Sequence, residues 1–212
     1  MRATTGSPPA ASTASGDGAP GATTLAAGAV DAGDRELVRR YLETRSEEAF
    51  RALYRTHASY LFGLALRVCA GRHDLAEDAL QEAWIRAAAK LDAFRWQSRL
   101  ATWLGGFVVN CCRENLRRRR SAPLEAAEVA SRDADPSDGA LPERAERRID
   151  LHRLLARLPD GQRAVLVLHA IEGYTHEEIG RLLDIAPGTS KSRLFEARRA
   201  LRDHHDFSGD SA

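Results

Sequence analysis

The chain has 212 residues, enough for one domain or two small ones, and 43% of them are hydrophobic while only 6% are aromatic. No apolar run approaches the ~18 residues that a membrane-spanning helix requires, and the N-terminus lacks the basic and apolar segments of a signal peptide. Three cysteines without CxxC spacing indicate reduced thiols, best interpreted as small buried hydrophobic residues, rather than a disulfide framework. These features exclude a membrane protein and a disulfide-rich secreted domain, and they predict a cytoplasmic protein without membrane insertion.

The net charge of +1 conceals an uneven distribution along the chain. Residues 34–120 carry 17 basic and 11 acidic side chains, whereas residues 121–145 carry two basic and six acidic ones. Residues 146–212 carry 11 of each kind. The sequence is therefore divided into a basic block, an acidic connector and a neutral C-terminal block.

The chain begins with a segment of low complexity. Residues 1–33 are mainly Ala, Gly, Ser, Thr and Pro, with too little large apolar surface to offset the entropy of ordering, and we predict a disordered tail. The first predicted helix follows Ser46, a capping residue with Glu47 and Glu48 in the first turn. Its apolar stripe recurs at intervals of three and four residues and ends at Gly71.

Two more helices are predicted before the acidic connector. The second spans about Asp74 to Leu91, and the third starts near Ser98 and ends in the four arginines Arg117 to Arg120. No segment of the chain shows sustained alternation of apolar and polar residues, so we expect no sheet.

The connector and the last helices complete the layout. Residues 121–145 contain three prolines and a glycine among acidic residues, which predicts a flexible linker. Helical periodicity then resumes from Ile149 to Leu158, and further helices are predicted over Gln162–Ile171, Thr175–Leu183 and Pro187 to about Leu201. The predicted fold class is all-α, with small helical domains over residues 34–120 and 146–205 and a short tail over 206–212.

The stretch DIAPGTSKSR, Asp184 to Arg193, lies between two of these helices and is rich in hydrogen-bond donors. A short helix, a tight turn and a second helix that starts with Pro187 have the spacing of a helix-turn-helix. Hydroxyl groups, free backbone N–H groups and basic side chains at a helix start suit phosphate. We interpret this stretch as the start of a DNA-recognition helix.

The same residues resemble a known family. LPDGQRAVLVLHAIEGYTHEEIGRLLDIAPGTSKSRLFEARRALR, Leu158 to Arg202, resembles the fourth region of bacterial RNA polymerase sigma factors of the extracytoplasmic-function group. LAEDALQEAWIRAAAKLDAF, Leu75 to Phe94, and TWLGGFVVNCCRENLRRRR, Thr102 to Arg120, resemble the second region of that group. The two motifs occur in this order on either side of an acidic linker, and together they are specific.

The resemblance implies a role for each motif. An acidic surface would dock on core polymerase, a loop with the following helix would recognise and melt the downstream (minus-10) promoter element, and the last helix would recognise the upstream (minus-35) element. The implied polymerase-binding residues are Glu77, Asp78, Gln81 and Glu82. The implied minus-10 residues are Phe94, Arg95, Trp96, Gln97, Ser98, Arg99, Trp103, Asn110, Arg113 and Arg117. The implied minus-35 residues are Thr189, Lys191, Ser192, Arg193, Phe195 and Arg199. The partners implied are core RNA polymerase, promoter DNA and an anti-sigma factor, with no cofactor, no metal and no catalytic residues.

The sequence departs from the family pattern in four places. Trp96 stands where the family often has Gly, and Leu100 where it often has Phe. Ser190 replaces a residue that is commonly hydrophobic, so its hydroxyl is expected to loosen the packing of the two helices. Glu196 replaces a residue that is often basic. These departures concern the promoter sequence that is recognised.

Two other functional classes were weighed. A stand-alone helix-turn-helix regulator would use only the C-terminal domain, and it leaves the basic N-terminal domain and its aromatic loop unexplained. An enzyme is disfavoured because the seven histidines form no metal-binding spacing and no nucleophile or phosphate-loop motif occurs. A regulator would bind duplex promoter tightly by itself, whereas a free sigma factor would bind it poorly until polymerase holds its two domains apart.

Overall fold

A computed structural model of the protein describes the backbone of residues 23–121 and 150–208, and it describes side chains over 32–121 and 150–203. These residues form helices and no strand. The helices are α1 (Thr23–Thr44), α2 (Glu47–Val68), α3 (His73–Lys90), α4 (Leu100–Ser121), α5 (150–156), α6 (Asp160–Leu166), α7 (His176–Leu183) and α8 (Pro187–Ser208). The all-α prediction is confirmed. The predicted linker beyond Ser121 and the end of the C-terminal tail lie outside the described residues.

Helix α1 corrects the predicted tail, because it begins at Thr23 and not after residue 33. The stretch is rich in alanine, which has the highest helix propensity. Asp34 is buried at 3% exposure, and its carboxylate lies 3.0 Å from Nε2 of His57 on α2. This contact and the buried Val38 anchor α1 to the next helix. Residues 1–22 of the predicted tail are not described.

Helices α1 to α4 form the N-terminal unit. As predicted, Ser46 caps α2, accepting a hydrogen bond from the backbone N–H of Ala49. The core consists largely of leucine and alanine from α2, α3 and α4, with Leu64 and Leu100 fully buried. All three cysteines are free and buried here, which confirms their interpretation as small hydrophobic residues.

Helices α5 to α8 form the C-terminal unit, and α7 and α8 make the predicted helix-turn-helix. Thr175 and Glu178 form a reciprocal capping box at the start of α7. The turn between the helices requires Gly180, since a Cβ atom there would lie 2.8 Å from the carbonyl oxygen of Ile185. Asp184 ends α7 in the left-handed conformation, with φ of 53°. Local sequence signals therefore define this motif well.

The two units pack directly against each other through a buried arginine. Arg163 of α6 is 2% exposed, and its Nε donates to the carbonyl oxygen of Val68, the last residue of α2, at 2.7 Å. Its Nη1 donates to the carbonyls of Leu155 and Leu158, at the end of α5, and its Nη2 to the carboxylate of Asp160. One guanidinium thus satisfies carbonyl groups at the C-terminal ends of two helices from different units.

A second set of contacts joins the units on the other side of the interface. Glu172, whose side chain is 4% exposed, accepts hydrogen bonds from Tyr60 and Arg67 of α2. The hydroxyl of Tyr174 donates to the carbonyl of Thr102 on α4 at 2.7 Å. Burial raises the pKa of both tyrosines above the ordinary value, so their hydroxyls stay protonated as donors. In the described arrangement the two predicted helical units are in contact and therefore closed on each other.

Candidate nucleic-acid interface

The start of α8 presents most of the predicted minus-35 residues to solvent. Thr189, Lys191 and Ser192 are exposed in the first two turns, and Phe195 is 64% exposed one turn further on. Arg199 is exposed as well, with Asp203 no closer than 3.8 Å. Lys191, Ser192, Phe195 and Arg199 therefore form a free surface on one side of the helix, able to enter a major groove.

Arg193, the sixth predicted minus-35 residue, is half-buried and points away from this surface. Its guanidinium lies so close to Gly161 that a Cβ added to that glycine would be 3.2 Å from Nη1. Arg193 also lies near Arg113 of α4. The pKa of Arg113 is lowered below its ordinary value, mainly by burial and secondly by the positive charge of Arg193. In the closed arrangement Arg193 therefore belongs to the contact between the units.

Two residues that depart from the family pattern, Ser190 and Glu196, have hydrogen-bond partners in the structure. Ser190 is fully buried, and its Oγ lies 2.9 Å from Nδ1 of His176 on α7. The expected loosening at this position is not observed, because the hydroxyl is accommodated by a hydrogen bond. Glu196 is exposed and accepts a hydrogen bond from the amide of Gln162 at 3.0 Å. Its carboxylate is thus held at the surface beside α6.

The loop between α3 and α4 contains the first predicted minus-10 residues and divides them into two groups. Arg95, Gln97, Ser98 and Arg99 are exposed. Phe94 is buried at 8% exposure, with its ring 4.8 Å from that of Trp96 and 5.0 Å from that of Trp103. The aromatic cluster packs beneath the loop, and the polar side chains remain exposed, with Arg95 donating to the carbonyl oxygen of Asp92 at 3.0 Å.

Trp96 has an unusual backbone, with φ of 56° in the left-handed region. This conformation is strained for a large side chain and easy for glycine, which accounts physically for glycine as the common residue at this position. The indole compensates through its contacts, because the guanidinium of Arg35 on α1 stacks 4.5 Å from the ring centroid. No pattern in the sequence indicates that α1 supports this loop.

The remaining minus-10 residues lie along α4, partly under the C-terminal unit. Trp103, Asn110 and Arg113 are half-buried, whereas Arg117 is exposed. The covered face is close to α7, since a Cβ on Gly106 would lie 3.2 Å from a methyl group of Leu182. The closed arrangement therefore reduces the access of DNA to this part of α4.

Two of the predicted polymerase-binding residues, Glu77 and Gln81, line a groove on the N-terminal unit. Glu77, Asp78 and Gln81 are exposed on α3, and Glu82 forms a salt bridge with Arg86 at 2.8 Å. The groove has a volume of about 680 Å³. Its lining residues come from three helices, and they are Tyr41, Phe50, Tyr54, Glu77, Leu80, Gln81, Trp84, Ile85 and Ala88.

Aromatic and aliphatic side chains make the floor of this groove, which the sequence did not reveal. Ile85 is 61% exposed, although it belongs to the apolar pattern of α3. Trp84 packs against Phe50 and Tyr54, and its indole N–H is buried without a hydrogen-bond partner in the part of the chain that the structure describes. Glu77, Gln81 and Ile85 are each four residues apart, so they form one stripe along the rim. Such a groove fits a helix with apolar and basic side chains.

A helix-turn-helix with a free basic surface, joined to a second helical unit with an acidic and aromatic groove, defines a DNA-binding protein with a separate docking surface for a protein. Residues 53–122 match the Sigma-70 region 2 family, and residues 148–201 match the Sigma-70 region 4 family. The chain belongs to the extracytoplasmic-function (ECF) group of RNA polymerase sigma factors, as its relatives show.

The alignments with three relatives cover most of the length of each relative. The ECF RNA polymerase sigma factor SigM of Mycobacterium tuberculosis is 35% identical over 79% of this chain and 82% of its own. The ECF RNA polymerase sigma factor SigW of Bacillus subtilis is 32% identical over 74% and 88%. The RNA polymerase sigma-H factor of Pseudomonas aeruginosa is 33% identical over 79% and 91%.

Two solved structures share the fold. The sigma factor RpoE of Bartonella quintana, in complex with the anti-sigma factor NepR, is 27% identical with a TM-score of 0.57 over 73% of this chain and 94% of that one. CnrH in complex with the cytosolic domain of CnrY is 25% identical with a TM-score of 0.53 over 84% and 99%. Among the described helices, none is long and apolar enough to cross a membrane.

Proposed function

We propose that the surfaces described above divide the work of an ECF sigma factor between the two units. The groove on α1, α2 and α3 binds core polymerase, the α3–α4 loop and α4 bind the minus-10 element, and the exposed face of α8 binds the minus-35 element. The observation that carries this proposal is the free surface of Lys191, Ser192, Phe195 and Arg199 on a helix whose start is rich in donors. The protein is then a transcription initiation factor that acts in the cytoplasm, without catalytic residues of its own.

The proposed polymerase site combines charge with apolar contact. The carboxylates of Glu77 and Asp78 and the amide of Gln81 suit a basic partner, while Ile85 and the aromatic floor provide apolar area. A stand-alone regulator has no use for such a groove.

Promoter binding requires the closed arrangement to open. The minus-10 and minus-35 elements lie more than two turns of duplex apart, at about 34 Å per turn. In the closed arrangement α4 and α7 are in contact, and the positive charge of Arg193, predicted for one element, acts on Arg113, predicted for the other. We infer that core polymerase separates the units when it binds. An anti-sigma factor that holds them together would keep the protein inactive.

The contribution of α8 is tested by replacing two of its exposed side chains. Lys191→Ala with Ser192→Ala should reduce initiation at promoters with an intact minus-35 element by about tenfold or more, because a good base or phosphate contact is worth about 1–3 kcal/mol. Binding to core polymerase should not change. Transcription from paired templates with intact and scrambled upstream elements measures the effect.

A charge-matched control comes from the same unit. Arg153 on α5 is exposed, with its side chain 76% accessible, and Arg153→Ala removes a positive charge away from α8. Arg153→Ala should leave the ratio of transcription from the intact and the scrambled template unchanged. If the double variant and the unmodified protein show the same ratio, α8 does not recognise the upstream element.

A further inference from the structure

The recognition helix packs on α7 through apolar side chains and, in its first turns, through a buried polar contact. Ser190 is fully buried in the first turns of α8, and His176, the first residue of α7, lies 2.9 Å from its hydroxyl. Thr189, Lys191 and Ser192 flank Ser190 on the DNA-facing side. The orientation of the proposed DNA contacts therefore depends on this hydrogen bond.

A second imidazole fixes the ring of His176. His169, in the π-helical turn that follows α6, stacks on His176 with ring centroids 4.4 Å apart and planes 19° from parallel. Nδ1 of His169 lies 2.9 Å from the carbonyl oxygen of Tyr174 and must donate to it, because a carbonyl only accepts. The two rings thus form a stacked pair at the base of the recognition helix.

The surroundings of His176 disfavour a positive charge on its ring. Lys191 and Arg198 of α8 and the imidazole of His169 all face it, with only Glu177 as a nearby carboxylate. His176 is also at the N-terminal end of α7, where the helix dipole repels cations. Partial burial, followed by these charges, lowers its pKa below the ordinary imidazole value. In its neutral form the ring can accept at Nδ1 from the buried Ser190 hydroxyl, which has no other acceptor among the described residues.

We propose that His176 is a positioning residue for promoter recognition, and that proton uptake at its Nδ1 reverses the hydrogen bond to Ser190, deprives the buried hydroxyl proton of this acceptor and loosens the recognition helix in mild acid. The proposal rests on the assignment of α8 to the minus-35 element. The pKa of His176 is lowered in the folded state. The stability that the contact contributes is therefore complete above the ordinary imidazole pKa of about 6.5, and it is lost as the pH falls through the lowered pKa. Over the same pH range the protein should lose its discrimination between promoters, while its sequence-independent affinity for DNA should be retained.

The first test is independent of DNA. In the full chain with labelled histidine, the imidazole signals of His176 should titrate below those of a free imidazole, and Ser190→Ala should change the tautomer and the titration of His176. His73, the first residue of α3, has no such hydrogen bond, and His73→Leu should leave these signals unchanged. An ordinary titration of His176 that Ser190→Ala does not alter would overturn the proposal.

The second test uses holoenzyme assembled from the full chain and core polymerase, with promoters that carry an intact or a scrambled minus-35 element. For the unmodified protein the affinity ratio should fall about fivefold from pH 7.5 to pH 5.5, the loss expected for one hydrogen bond. His176→Leu with Ser190→Val, an apolar pair, should keep a ratio that does not vary with pH. If this double variant retains the pH dependence of the unmodified protein, the proposal is wrong. If the unmodified protein binds both promoters with equal affinity at every pH, the minus-35 assignment itself is wrong. The titration of His176 then tests only whether the hydrogen bond to Ser190 responds to pH.

Discussion

Ile85→Glu should weaken the binding of the protein to core polymerase by about a hundredfold, because charging an apolar side chain that the partner covers costs about 2–4 kcal/mol. The side chain is 61% exposed at the rim of the groove, so its replacement leaves the core of the N-terminal unit intact. A carboxylate at this position would also lie in the apolar part of the groove, where its desolvation is unfavourable. Titration of labelled core polymerase with the purified variant measures the loss.

The control places the same charge on another surface of the same unit. Ser59 is exposed on α2 and does not line the groove, so Ser59→Glu should bind core polymerase like the unmodified protein. Both variants should unfold at the same denaturant concentration as the unmodified chain. Equal affinity of Ile85→Glu and Ser59→Glu for core polymerase would show that the groove is not the docking site.

Arg163→Met should destabilise the folded protein by about 3 kcal/mol, which corresponds to a decrease of about 6–12 °C in the melting temperature for a chain of this size. The substitution keeps an unbranched side chain but removes the guanidinium donors to the carbonyls of Val68, Leu155 and Leu158. Buried carbonyl groups without a donor are costly, and here they lie at the negative ends of α2 and α5. Denaturant unfolding of the full chain checks the magnitude.

The same substitution should also open the closed arrangement. The bond from Arg163 to Val68 joins the two units, so its loss should increase the radius of gyration in small-angle scattering and raise the affinity of the free protein for duplex promoter. Arg153→Met, at an exposed position of the C-terminal unit, is the matched control and should change neither quantity. Unaltered stability and scattering of Arg163→Met would mean that this arginine does not hold the units together.

The elements that could be predicted from the sequence are those with local signals. Ser46, the Thr175–Glu178 capping box and Pro187 mark helix starts within a few residues, and the structure places helix starts beside each of them. The exposed face of α8 follows from helical spacing alone, which is why Lys191, Ser192 and Phe195 were identified before the structure.

The features that the sequence could not reveal depend on residues far apart in the chain. Arg163 and Val68 are 95 positions apart, and nothing near either residue indicates that they meet. The aromatic floor of the groove needs α1, α2 and α3 together, so Ile85 could not be distinguished from the buried positions of α3 by its spacing. Helix α1 was not predicted at all, because low complexity outweighed the helix propensity of its alanines and its contact with α2 joins Asp34 to the distant His57.

The most direct test of the whole account is transcription by core polymerase, with and without this protein. The polymerase and the genomic DNA fragments should both come from the bacterium that encodes the protein. We expect new start sites that require both the protein and the core enzyme, and that share two sequence elements at a fixed spacing. Lys191→Ala with Ser192→Ala should then reduce the starts that depend on the upstream element. If no new starts arise although the protein binds core polymerase, or if the protein binds promoters tightly without it, the division of roles proposed here is wrong.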